Sequence, residues 1–132
     1  MAFVSTREYL TAKALRLLSY RPRSVAEIKL RLRKTNTDSK TINAVIAELE
    51  EQGLLNDQDF AAWWVDQRVN FRPRGNFALK QELKQKGISE SIISSVLLTF
   101  EAELKLAKKL PPAQLARRGF SFTIIDALSH SE

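Results

Sequence analysis

Two segments of this chain are copies of each other, and their repetition restricts the folds open to it. The Arg-Pro-Arg-Ser sequence at residues 21–24 recurs as Arg-Pro-Arg-Gly at residues 72–75, an offset of 51. Apolar residues recur at the same offset: Ile28, Leu32, Ile42, Val45 and Ile46 align with Leu79, Leu83, Ile93, Val96 and Leu97. Because a unit of this length buries little core alone, the copies are expected to be tandem structural repeats.

Apolar residues follow a helical period through most of the chain. Leu10, Ala14 and Leu17 form one apolar stripe, and Ser24 followed by Glu27 is a capping-box pattern that starts a second helix. Helices are predicted over residues 6–20, 24–34, 38–53, 56–72, 76–86 and 89–101, then up to 111, with further short helices starting at 112 and 121. The sixth is expected to bury Ile92, Ile93, Val96, Leu97 and Phe100. No stretch alternates with the two-residue period of a strand, so the predicted fold is all-α.

A third, shorter copy is indicated near the end of the chain. The sequence at residues 86–89, Lys-Gly-Ile-Ser, has an echo at 118–121, Arg-Gly-Phe-Ser, each followed by a pair of isoleucines. We therefore predict tandem three-helix repeats, helix-turn-helix-like, over residues 1–54 and 55–102, and a shortened third repeat over 103–132. Such an array is expected to be elongated and curved.

Composition excludes several kinds of function. The chain has no cysteine and one histidine, His130, so neither a thiol nucleophile nor a His/Cys metal site is expected. No Gly-x-x-x-x-Gly-Lys phosphate loop is present, and no cofactor or enzymatic activity is predicted. No apolar run approaches the ~20 residues of a membrane span, so a soluble, cytoplasmic protein without membrane contact is expected.

The middle of the chain closely resembles the RecX family. The matching sequence runs from Leu55 and Asp57 through Phe-Ala at 60–61, Trp-Val at 64–65 and Arg68, and then through the turn at 72–75, Glu-Leu at 82–83 and Lys-Gly-Ile at 86–88. A later Arg-Arg-Gly-Phe-Ser at 117–121 also matches, and the resemblance covers about residues 12–128. The shortened third repeat departs from the family's fuller helix set.

This resemblance implies a function. RecX proteins bind the RecA recombinase, lodge in the groove of its filament on single-stranded DNA, and restrain ATP hydrolysis, strand exchange and filament growth. They are not themselves enzymes. The resemblance therefore implies a monomeric regulator whose partner is the RecA filament, with possible direct DNA contact.

Basic residues of the turns and second helices are the candidate contacts, because arginine forks and lysine ammonium groups bind carboxylate and phosphate. The chain carries a net charge of +6, and its basic residues are concentrated in residues 1–34 and 61–87. The candidates are Arg21, Arg23, Lys29, Arg31, Arg33 and Lys34, followed by Arg68, Arg72, Arg74, Lys80, Lys84 and Lys86. Two alternatives stay open: solvated helix faces without a partner, and a helix-turn-helix-like protein that acts on DNA directly.

Two further motifs receive structural interpretations. Trp64 follows Phe60 by four residues and is predicted to lie in the core, whereas Trp63 points about 100° away and is predicted to be partly exposed. Asp57 and Asp59 are interpreted as first-turn carboxylates that complement a helix dipole.

Overall fold

The computed structural model describes residues 5–130, and within them every regular element is helical. The helices are α1 (Thr6–Tyr20), α2 (Val25–Arg33), α3 (Ser39–Glu51), α4 (Asp57–Phe71), α5 (Asn76–Gln85), α6 (Glu90–Val96), α7 (Phe100–Ala107) and α8 (Phe122–Ser129), with a 3₁₀ turn at Pro112–Gln114. The predicted all-α class and tandem helical repeats are confirmed.

The first three helices repeat in the next three at the predicted offset. α1, α2 and α3 begin at residues 6, 25 and 39, and α4, α5 and α6 begin at 57, 76 and 90, so each pair of starts differs by 51. Left-handed backbone also recurs, since Asn36 has φ of 59° and Gly87, 51 positions later, has φ of 78°. The repeat therefore extends to backbone conformation.

The chain divides into two compact units, of which unit 1 ends at Phe60 and unit 2 begins at Ala61. In unit 1, α1, α2 and α3 enclose one apolar core. Leu10, Ala14, Ile28, Leu32 and Val45 are fully buried there.

Local signals place the helix starts of unit 1. Ser24 Oγ accepts from the Glu27 backbone N–H at 3.1 Å, and Glu27 Oε1 accepts from the Ser24 N–H at 3.0 Å, so the predicted capping box is present. Asp38 caps α3 through Thr41, and Gly53 takes φ of 74° after the helix ends. Asn56 Oδ1 accepts from the Asp59 N–H at 3.0 Å at the start of α4.

Unit 2 departs from the prediction at the end of its third helix. α6 stops at Val96, and Phe100, predicted to be buried, begins α7 and is 46% exposed. The Asn76 side chain bonds both the N–H and the C=O of Leu98, at 2.9 and 2.8 Å, which holds that residue out of the helix. Thr99 then caps α7 through the Ala102 N–H. The break thus arises from a contact 22 residues away along the chain.

Candidate functional site

The second helix of each repeat carries cations at equivalent positions. Lys29 of α2 corresponds to Lys80 of α5, and Arg33 corresponds to Lys84, at the offset of 51. Arg33, Lys80 and Lys84 are exposed, and Lys29 is half-buried. The apolar residues between them face the core, since Ile28, Leu32 and their counterparts are fully buried. Helical periodicity therefore places these cations away from the core.

The turn arginines of unit 1 contact their own repeat. Arg21 forms a two-pronged pair with Glu27, with Nη2 to Oε2 at 2.6 Å and Nη1 to Oε1 at 3.4 Å. Arg23 Nε donates to the Leu17 carbonyl at 3.3 Å. Burial lowers the pKa of Arg23, and the positive charge of Arg21 lowers it further. Arg21 is thus held against the start of α2, and Arg23 against the last turn of α1.

In unit 2 a single carboxylate contacts three groups, of which only Arg74 corresponds to a turn arginine of unit 1. Glu82 Oε1 accepts from the Trp64 indole nitrogen at 2.9 Å and from Arg68 Nε at 3.0 Å. Arg74 Nε lies 3.9 Å from Glu82 Oε2, and this buried atom has no hydrogen-bond partner among residues 5–130. Arg68 therefore joins α4 to α5, and Arg74 lies close to the same carboxylate.

The two repeats differ in where this carboxylate sits. Unit 1 has Glu27 in the first turn of α2, whereas unit 2 has Ala78 at that position and places Glu82 where unit 1 has Arg31. Moving the acid by one helical turn changes which arginine is paired. Arg31 is exposed in unit 1, and Arg72, the counterpart of the paired Arg21, is exposed in unit 2.

The tryptophan pair lies beside this carboxylate. Trp64 was predicted to be in the core, and this prediction is wrong, because the side chain is half-buried with its indole N–H on Glu82. Arg68 and Lys86 lie over its ring, at 4.8 and 5.2 Å from the centroid. Trp63 is partly exposed, as predicted, and meets Trp64 edge to face with ring centres 6.3 Å apart.

Sequence reasoning missed how the start of α5 is capped. Gly75 replaces Ser24 and has no side chain to cap the helix, so later residues supply the acceptors. Glu103, only 3% exposed, accepts from the Asn76 N–H at 2.8 Å and from the N–H and hydroxyl of Ser121 at 3.2 and 3.1 Å. The carbonyls of Arg118 and Gly119 accept from the N–H groups of Gly75 and Ala78. The sequence signal that could have indicated this was glycine at position 75, where the first repeat has the capping residue Ser24.

Unit 1 uses a related contact, in which Asp57 Oδ1 accepts from the Val25 N–H at 2.8 Å. In both repeats, a carboxylate from the first turn of a later helix binds the first N–H of the second helix. Asp57 therefore does more than complement the dipole of its own helix. It joins the start of α4 to the start of α2.

The remaining candidates lie on the surface, and Lys34 is exposed while Lys86 is half-buried beside Trp64. Among residues 5–130, no group of three or more His, Cys, Asp or Glu side chains is placed to hold a metal ion. No helix in the same range is both long and apolar enough to cross a membrane.

Fold and site together define a tandem three-helix repeat protein with cation-bearing second helices. Two family models match it: the first three-helix domain of RecX over residues 11–49 and the second over residues 56–97. The chain belongs to the RecX family.

Relatives agree with this assignment. The regulatory protein RecX of Bacillus subtilis (strain 168) is 36% identical over 136 residues, covering 87% of this chain and 52% of the relative. That of Halalkalibacterium halodurans is 41% identical over 90 residues, covering 68% of this chain and 34% of the relative. This chain thus spans about half or less of the length of these relatives. The crystal structure of RecX from Lactobacillus salivarius superposes with a TM-score of 0.84 at 26% identity, covering 94% of each chain.

Proposed function

We propose that this chain regulates RecA by binding its filament on single-stranded DNA, and that it restrains ATP hydrolysis, strand exchange and filament growth. The observation that carries this proposal is the recurrence of cations on the second helices: half-buried Lys29 and exposed Arg33 in α2, and exposed Lys80 and Lys84 in α5. Family membership supports it, because the curated relatives are named regulatory proteins. Proposed with it are a monomeric state, a cytoplasmic location and the three-repeat division at residues 54 and 102.

The candidate residues fall into two groups by their contacts. Arg21, Arg68 and Arg74 lie against carboxylates of their own repeat, so their replacement would alter the fold as well as any interface. Lys80, Lys84 and Arg72 are exposed, and Lys84 forms a surface pair with Glu90 at 3.5 Å. An exposed pair of this kind contributes little to stability, about 0–1 kcal/mol. The exposed cations are therefore the ones we assign to the filament.

Titration into RecA, single-stranded DNA and ATP tests the proposal. The wild-type chain is expected to slow ATP hydrolysis, and the double variant Lys80→Ala/Lys84→Ala should need a several-fold higher concentration for the same effect. The matched control is Lys40→Ala/Lys105→Ala, which removes the same charge from exposed positions on α3 and α7. Unchanged hydrolysis with the wild-type chain would contradict the function. Equal inhibition by both double variants would contradict only the site.

Direct action on duplex DNA is the second candidate, because each repeat places a basic helix after a short turn, as helix-turn-helix proteins do. In that case binding to naked duplex should suffice for function. The affinity should also fall by about 0.9 log unit per neutralised phosphate for each tenfold rise in salt. Inhibition of RecA at concentrations where duplex binding is negligible would exclude this candidate.

A further inference from the structure

A surface groove runs along the first helix of each repeat, and the two grooves are formed by equivalent positions. In unit 1 a groove of about 510 Å³ is lined by residues of α1 that include Lys13, Arg16 and Tyr20. In unit 2 a groove of about 230 Å³ is lined by residues of α4 that include Trp63 and Phe71. Five lining positions correspond at the offset of 51: 12 with 63, 13 with 64, 16 with 67, 17 with 68 and 20 with 71.

Helical geometry explains why these positions form one surface. Residues spaced three, four, seven and eight apart lie on the same side of a helix. The repeated first helix therefore forms most of each groove, Arg31 of α2 adds to the lining in unit 1, and Lys29, Arg33, Lys80 and Lys84 lie outside both linings.

Both grooves combine exposed aromatic rings with positive charge. Tyr20 is 70% exposed and its counterpart Phe71 is 73% exposed, while Tyr9 adds a second, half-exposed ring in unit 1. Large exposed rings that recur at equivalent positions indicate a binding surface, because chance exposure would not place them at the same position in both repeats.

The charge of the lining has one sign. Lys13, Arg16 and Arg31 line the unit 1 groove, Arg68 and Arg72 line the unit 2 groove, and neither lining contains a carboxylate. Within the described residues, Lys13, Arg16 and Arg31 form no ion pair, whereas Arg68 is bound to Glu82. The unit 1 groove is therefore the more positive of the two.

We propose that each groove binds a short segment of single-stranded nucleic acid, with an unpaired base stacked on Tyr20 or Phe71 and its phosphates beside the groove cations. Single-strand-binding proteins combine these two elements, a basic groove and aromatic faces. A duplex does not offer this contact, because its bases stack on one another. This inference goes beyond the proposed function, since it assigns a ligand to the first helices and needs no RecA.

The test measures the binding of labelled oligo(dT) to the full chain by fluorescence anisotropy, with RecA absent. Replacement of both rings, Tyr20→Ala/Phe71→Ala, is expected to weaken binding roughly tenfold or more, because a stacked base contributes about 1–3 kcal/mol. Substitution of both by Trp should keep or strengthen binding. The matched control is Phe77→Ala/Phe122→Ala, which removes two rings that are 64% and 80% exposed outside either groove, and it should bind as the wild type does.

A second arm separates base stacking from charge. An abasic oligonucleotide keeps the phosphates, so it should bind the wild-type chain more weakly than oligo(dT), and the Tyr20→Ala/Phe71→Ala variant should not distinguish the two. The chain's two tryptophans both line the unit 2 groove, so quenching of their fluorescence by oligo(dT) reports occupancy there.

Several results would overturn the proposal. The Phe77→Ala/Phe122→Ala control could lose as much binding as the groove variant. The wild-type chain could bind abasic and base-containing strands with equal affinity, or its tryptophan fluorescence could stay unquenched when oligo(dT) is saturating. Poly-glutamate that binds as tightly as oligo(dT) and depends on Tyr20 and Phe71 would instead identify an acidic polypeptide as the occupant. Because RecA is absent, none of these results bears on the proposed inhibition.

Discussion

Glu82 accepts a 2.9 Å hydrogen bond from the indole nitrogen of Trp64, eighteen residues before it in the chain. The same oxygen accepts from Arg68, and Arg74 lies beside the other oxygen. One carboxylate thus ties the turn and the first helix of the second repeat to its second helix.

Glu82→Ala should lower the free energy of unfolding by about 1–3 kcal/mol, because it leaves partly buried donors without an acceptor. Tryptophan emission should shift to longer wavelength as Trp64 gains water. Urea denaturation followed by fluorescence measures both. The control is Glu90→Ala, whose carboxylate is 79% exposed and pairs with Lys84 at 3.5 Å, and it should change stability by about 0–1 kcal/mol. Equal losses in the two variants would contradict this role for Glu82.

Gly75→Ala should destabilise the chain through a backbone clash. A Cβ at this position would lie 2.2 Å from the Phe120 Cα and 2.7 Å from the Gly119 carbonyl oxygen, so the contact between these turns must open. We expect a loss of about 3 kcal/mol, near the top of the usual range for overpacking.

Gly53→Ala is the comparison variant, because it tests the loss of glycine's backbone freedom without a steric clash. Gly53 has φ of 74° and open space around it, so its replacement should cost only the left-handed strain of about 1–2 kcal/mol. Thermal and urea unfolding of the two variants test the comparison. A Gly75→Ala protein no less stable than Gly53→Ala would show that the two turns are not in close contact.

Glu103→Ala should be among the most destabilising single changes in unit 2. It removes the acceptor for the N–H groups of Asn76 and Ser121 in a site where the carboxylate is 3% exposed. Each buried donor left unsatisfied costs about 1–3 kcal/mol, so we expect a loss of roughly 3 kcal/mol. Glu101→Ala is the control, because Glu101 is exposed in the same first turn and should change stability by about 0.5 kcal/mol or less. Hydrogen exchange at the Asn76 amide should quicken only in the Glu103 variant.

Asp38 should make stability depend on acidic pH. Hydrogen bonds from the Thr41 side chain and backbone lower the pKa of the Asp38 carboxyl in the folded chain. The ionised cap therefore stabilises the fold above its unfolded pKa of about 3.9, and this contribution is lost as pH falls through the lower folded value.

Asp38→Asn is the informative variant, because asparagine is an equally good helix cap but does not titrate. Its urea midpoint should stay close to wild type near neutral pH and should fall less steeply than wild type in the acid range. Parallel acid profiles of the two proteins would contradict this assignment.

Much of the repeat could be predicted from local sequence. Helix boundaries depend on residues within a few positions of each other, so they can be predicted without knowledge of the fold. Examples are the capping box at Ser24 and Glu27, the Asp38 cap and the Gly53 stop. The offset of 51 extends these predictions to the second repeat. Each of its three helices starts 51 residues after its counterpart in the first repeat.

Prediction failed where a distant partner overrides local pattern. The helical period extends α6 through Phe100, but Asn76 binds Leu98 and ends it early. Trp64 has core spacing, but Glu82 on another helix draws its indole nitrogen to a polar partner. Neither contact could be predicted from the residues next to Leu98 or Trp64 in the sequence.

For this protein, helix positions, caps and the repeat follow from interactions within a few residues, and these can be read along the chain. The pairing of charges cannot, because Arg21 and Arg72 are copies in the same motif, yet one is held by a carboxylate and the other is exposed. The difference depends on whether the carboxylate lies in the first turn of the following helix, as Glu27 does, or in the second, as Glu82 does. It also depends on which donors the folded chain places beside that carboxylate. Folding thereby determined which cations remain exposed and which grooves combine aromatic rings with charge.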